Sequence, residues 1–202
     1  MEYLVTMTTH VPEGVPEREV DDVRAAEARH TRVLARDGRV LRLWRPPLQP
    51  GRWQTLGLFF AADADDLEHV LRGMPLRVWR TDDVTPLQPH PNDPGRHTAP
   101  ADPGRPEFLV TFVVGIPPGT DPGEAAEVLA QESRRAAALA AEGRLLRLWR
   151  LPGEGRNLGH WQADDATELR AVLATLPLAA WLDIETMALT RHPNDPALST
   201  TG

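Results

Sequence analysis

The chain has no cysteine, which excludes thiol nucleophiles, disulfides and cysteine-ligated metals. All 22 of its basic residues are arginine, and without lysine there is no anchor for Schiff-base or pyridoxal-phosphate chemistry. Serine occurs only at Ser133, within an expected helix, and at Ser199 in the tail, so a Ser–His–Asp triad is not expected. No apolar run approaches the roughly 20 residues that a membrane-spanning helix needs, and the N-terminus lacks a signal-peptide pattern. A cytoplasmic protein with no membrane partner is therefore expected. The formal net charge is -7, without blocks of like charge, which argues against nucleic acid or an anionic lipid surface. No glycine-rich phosphate loop follows an expected strand. Any chemistry falls to carboxylates, histidine, arginine and the hydroxyls of threonine or Tyr3.

What is present is a repeat. Gly38-Arg39-Val40-Leu41-Arg42-Leu43-Trp44-Arg45 returns as Gly143-Arg144-Leu145-Leu146-Arg147-Leu148-Trp149-Arg150, with one residue changed. At the same offset, Glu2-Tyr3-Leu4-Val5-Thr6-Met7 answers to Glu107-Phe108-Leu109-Val110-Thr111-Phe112. Further on, Met74-Pro75-Leu76 matches Leu176-Pro177-Leu178, and Trp79 matches Trp181. His90-Pro91-Asn92-Asp93-Pro94 returns as His192-Pro193-Asn194-Asp195-Pro196. A period this long, present twice, is a tandem duplication of a small domain rather than a solenoid. The expected division is a first copy over 1–94, a Pro/Gly-rich linker over 95–106 and a second copy over 107–202.

Each copy reads as β-α-β-β-α-β. In the first, strands are expected over 2–9, 40–45, 53–61 and 77–87, with helices over 17–37 and 64–73. Gly38 fits the left-handed position that ends a helix, and Asp63 fits an N-cap. In the second, Asp121-Pro122-Gly123-Glu124 reads as a helix start. Strands are expected near 144–150, 156–163 and 181–190, with a further helix over 165–175. That order is the ferredoxin-like signature, an antiparallel sheet with helices on one face.

One residue type sits on the wrong face. Val20, Val23, Glu27, Thr31 and Leu34 share a helical stripe, so Glu27 lies where the helix should meet the sheet. In the second copy Val128, Glu132 and Leu139 do the same. A carboxylate in an apolar stripe is costly unless paired or neutralised, and burial raises its pKa towards that of a general base or acid working near neutral pH. Pairing with arginine at the stripe's edge is the structural alternative. Arg42, Arg45, Arg147 and Arg150 read as the polar face of a strand, and Trp44, Trp79, Trp149 and Trp181 as core or interface anchors. His90 and His192 lie in turn-forming segments without the helical spacing of metal ligands, so no metal is expected.

These residues carry a resemblance. Leu43-Trp44-Arg45 after a glutamate-bearing helix and Gly38, then Met74-Pro75-Leu76, then a His-Pro ending, resembles the muconolactone Δ-isomerase family. The resemblance covers most of both copies and is strongest in Leu146–Arg150, Leu176–Leu178, Leu182-Asp183-Ile184-Glu185 and Arg191-His192-Pro193. It implies ferredoxin-like subunits that dimerise through their sheets and assemble into homo-oligomers. It also implies cofactor-free isomerisation of muconolactone to the 3-oxoadipate enol-lactone by movement of a proton.

The family's helix glutamate falls on Glu27 and Glu132, the implied catalytic pair. Its nearby lysine falls on Arg24 in the first copy and Leu129 in the second. A loop histidine falls on Arg52 and Glu154, and the tyrosine after it on Trp53 and Gly155. Arg24, Arg52, Trp53 and Glu154 are accordingly expected to bind an acidic small-molecule substrate, arginine in these places favouring anion binding over acid catalysis. The expected fold class is α+β: two tandem ferredoxin-like domains packed as a pseudo-dimeric α/β barrel. A non-catalytic small-molecule-binding or assembly protein, or a cofactor-free oxygenase, is the alternative on the same scaffold.

Overall fold

The computed structural model describes residues 1–48, 51–96 and 102–198. The middle of the expected linker, residues 97–101, lies outside the described residues, as do residues 49–50 and Ser199. The fold is α+β, with eight antiparallel strands and four α-helices among the described residues. The chain separates into two compact units, Met1–Leu87 joined by the stretch from Thr190 onward, and Gln88–Leu189.

In the first unit, β1 (Glu2–Thr9) is the central strand. It runs antiparallel to β3 (Trp53–Phe60), with Val5 opposite Gly57, and on its other side to β4 (Arg80–Pro89), with Val5 opposite Val84. β2 (Val40–Arg45) adds to the outer edge of β3, with a bulge between Val40 and Arg42. The period of two in β1 turns Tyr3, Val5 and Met7 to one face, where they are buried. Against them pack Leu34 of α1 (Glu17–Arg36) and Leu67, Val70 and Leu71 of α2 (Ala64–Gly73). Gly38 has φ 69°, the left-handed geometry that ends α1, and Asp63 accepts a hydrogen bond from the Asp66 N–H as the cap of α2.

The second unit repeats the plan. β5 (Glu107–Val114) lies between β7 (Arg156–Gln162) and β8 (Leu182–Arg191), and β6 (Leu145–Arg150) adds to β7 with a bulge at the matching place. α3 (Pro122–Ala141) starts on Asp121, whose side chain accepts from the Gly123 and Glu124 N–H groups. α4 (Ala166–Leu173) starts on Asp165 in the same manner. Leu139, Ala136 and Leu169 from these helices close over Phe108, Val110 and Phe112.

Two features differ from the sequence expectation. The last strand of each copy starts later than expected, because 3-10 turns over Pro75–Trp79 and Ala179–Trp181 come first. The repeat and the compact units also divide the chain differently, since each copy's end segment belongs to the other unit. In the first unit Asp195, with a fully buried side chain, accepts from the Leu43 N–H (3.1 Å) and from Arg42 Nε (3.1 Å) and Nη2 (2.9 Å). Arg191 lies opposite Trp44. In the second unit Asp93 accepts in the same way from the Leu148 N–H (2.8 Å) and from Arg147. A buried carboxylate that gathers a backbone N–H and a two-pronged guanidinium fixes the segment carrying it.

Candidate active site

The first unit holds a cavity of about 580 Å³ between α1, the sheet and the segment after β8. Glu27 forms part of its wall and is 8% exposed. Its Oε2 accepts the Leu76 N–H at 2.9 Å, and its Oε1 accepts Arg80 Nη1 at 3.1 Å. Arg80 is itself buried and holds Asp82 at 2.7 Å through Nε. Burial pushes the Glu27 carboxyl above its ordinary value, and the Leu76 N–H and Arg80 offset part of that rise. The result is an oriented carboxylate at a cavity wall, held by two donors and made more basic than a surface glutamate.

The other expected residues of the first copy reach the same cavity. Arg24, Arg52 and Trp53 all line it. The Arg24 guanidinium lies 4.4 Å from the Trp53 ring centroid, a cation–π contact, and its ion-pair partner is Asp21 at 3.5 Å rather than Glu27. The arginine that pairs with Glu27 is Arg80, which sequence reasoning did not single out. Arg45 lines the cavity as well, so four guanidinium groups share its wall with the Glu27 carboxylate. Such a cavity favours an anionic ligand over a neutral one.

A second residue missed from the sequence is His192, which lines this cavity from the end segment of the second copy. Its Nδ1 accepts the Asn194 N–H at 3.1 Å, so the neutral ring carries its proton on Nε2. Burial first, and then Arg45, depress its pKa to about 4. At neutral pH His192 is therefore an uncharged donor.

The second unit has a smaller cavity, about 290 Å³, with Glu132 on its wall. The Leu178 N–H donates to Glu132 Oε2 at 3.1 Å, matching Leu76 and Glu27. Burial again raises the carboxyl, offset by that N–H and by Arg135. The remaining surroundings differ. Leu129 stands where the first copy has Arg24, Leu182 where it has Arg80, and Ala136 where it has Thr31. Glu154 is exposed in the turn between β6 and β7 and is not among the residues lining the cavity, so it is not brought to Glu132.

Fold and site define a tandem ferredoxin-like α+β protein in which a helix carboxylate faces a cavity in each copy. Residues 1–93 and 107–195 both match the muconolactone delta-isomerase family, and the chain belongs to that family as a tandem duplication. The muconolactone Δ-isomerase of Rhodococcus opacus is 34% identical over 88 residues, 44% of this chain and 95% of that protein. That of Cupriavidus pinatubonensis is 32% identical over 92 residues, 46% of this chain and 97% of that protein. Among solved structures, a chlorite dismutase from Candidatus Nitrospira defluvii superposes with a TM-score of 0.62 at 11% identity, over 98% of this chain and 94% of that one. A heme-binding protein from Thermus thermophilus gives 0.60 at 11% identity, with the same coverage of both chains. At that identity the likeness is one of fold alone.

Proposed function

We propose that the first unit is a cofactor-free isomerase site, acting on muconolactone or a closely similar carboxylated lactone. The observation that carries this reading is Glu27, buried, oriented by Leu76 and Arg80 and facing a cavity rich in arginine. Glu27 takes a proton from the lactone ring and returns it two carbons away, so the double bond shifts with no net gain or loss of atoms. Negative charge that develops on the lactone carbonyl in between is met by guanidinium groups already in place. Arg24 and Arg52, at the exposed end of the cavity, hold the substrate carboxylate, and Trp53 supports the Arg24 guanidinium from below. His192, neutral with its proton on Nε2, supplies one more donor.

Turnover of muconolactone by the purified chain, followed by ultraviolet absorbance, tests this. Loss of turnover in Glu27→Gln with retention in Glu132→Gln is the expected pattern. Full activity in Glu27→Gln would remove the reading. Family membership and the match to the Rhodococcus opacus enzyme support the reaction class, and the arginine-lined cavity supports an acidic substrate.

A further inference from the structure

The cavity of the second unit keeps its carboxylate and has aliphatic groups where the first has cations. Leu129, Leu182 and Ala136 stand in place of Arg24, Arg80 and Thr31, and Val114 in place of Thr9. The side chains are smaller or apolar, yet the space has not closed: about 290 Å³ remains. Among the described residues Glu132 has no cation at ion-pair distance. With Oε2 taken by the Leu178 N–H, its Oε1 has no hydrogen-bond partner among them. Trp161, which replaces Phe59, lines the same cavity and adds a buried indole N–H that has no acceptor among the described residues.

We propose that this cavity is a second binding site, one that takes an uncharged, ring-sized, largely apolar molecule bearing a single hydroxyl or carbonyl oxygen. Size supports the class, because a dry cavity of about 150 Å³ already admits benzene. Charge disfavours the first unit's ligand type: an anion beside Glu132 would meet a carboxylate that lacks the Arg80 partner of Glu27, in a cavity lined among the described residues by one guanidinium, Arg150, where the first has four. Arg150, His90 and Asn157 also line the cavity. His90 accepts the Asn92 N–H on Nδ1 and has its pKa lowered, chiefly by burial and then by Arg150, so it adds no fixed positive charge at neutral pH. The inference is independent of the isomerase reading, since it concerns the other unit and is read by binding rather than turnover.

Phenol and benzoate differ in charge at neutral pH and share a ring, so they serve as probes. The full chain is titrated with each by calorimetry, alongside Ala136→Leu, which puts a bulkier side chain into the second cavity, and Leu182→Arg, which restores a cation beside Glu132. The expected result is saturable phenol binding that Ala136→Leu weakens at least tenfold and Leu182→Arg shifts towards benzoate. Benzoate bound by the unmodified chain is expected to be indifferent to Ala136→Leu, because it occupies the first unit. Absence of saturable phenol binding, or phenol binding unchanged in both variants, would overturn the proposal. So would benzoate binding that Ala136→Leu abolishes.

Discussion

Glu27 was legible because it interrupts an apolar stripe that recurs, with its own glutamate, in the second copy. The physics of that position leads to a pH dependence. The carboxyl is raised above the ordinary glutamate value by burial, and as a base it must be ionised. Activity should therefore rise with pH through that raised value, and the acid limb of kcat/KM should lie above the range of an unperturbed glutamate. A limb at the ordinary glutamate pKa would assign the base elsewhere. Glu27→Gln should lower kcat by roughly 10²-fold or more, and Arg80→Met should lower it too while shifting the acid limb further up, since a stabilising cation is gone.

Glu132 leads to a stability argument. Its carboxyl is also raised, again mainly by burial, so the folded state holds its proton more readily than the unfolded chain does. Its stabilising contribution is present at low pH and is lost as pH rises through the folded value. Glu132→Gln removes that dependence. The variant should melt higher than the parent at neutral pH, with the gap closing in acid, as thermal denaturation across pH would record.

At the scale of elements, most strands and helices followed from period and punctuation. Alternation marked β1, Gly38 ended the first long helix, and Asp63 and Asp121 began α2 and α3. Arg80 escaped notice for an element-level reason. A strand expected from residue 77 begins instead at Arg80, after a 3-10 turn, and its partner Glu27 lies on a different element far back in the chain. No local pattern links the two.

Glycine inside the strands carries a separate constraint. At Gly159 an added Cβ would come within 2.2 Å of Trp161 Nε1, and at Gly57 within 2.3 Å of the Phe59 ring. Each aromatic ring lies across its own strand where a side chain would otherwise stand. Gly159→Ala and Gly57→Ala should each cost about 1–3 kcal/mol through overpacking, a loss of several degrees in melting temperature. Unchanged melting would mean that the ring moves aside without penalty.

For the whole molecule, the chief finding is that copies and compact units exchange their end segments. A chain ending at Leu189 should leave the second unit's contacts complete while removing Asp195 from Arg42 and Leu43 in the first. Hydrogen exchange reads the difference directly. The Leu43 amide, which donates to Asp195, should exchange much faster, whereas the Leu148 amide, which donates to Asp93, should keep its protection. Asp195→Ala should produce the same asymmetry and cost roughly 3 kcal/mol, the scale of a buried ion pair broken on one side. Equal deprotection of both amides would refute the exchange of segments. The same segment carries His192, whose depressed pKa of about 4 means that the unfolded chain takes up its proton first. Its contribution favours folding above the ordinary histidine value and fades as pH falls towards about 4.

The sequence by itself determined the duplication, the β-α-β-β-α-β order of each copy, the family and a glutamate on the core-facing side of each long helix. Those are local or repeated signals: spacing on a helix, alternation on a strand, a glycine at a stop, a motif seen twice. Tertiary structure decided which cations meet that glutamate, which histidine joins it and why the two cavities differ in character. Arg80 reaches Glu27, and His192 comes to the first cavity with the segment that Asp195 anchors. Such contacts depend on the register between strands and on hydrogen bonds spanning up to 153 positions of chain. Neither leaves a period that a linear reading can detect.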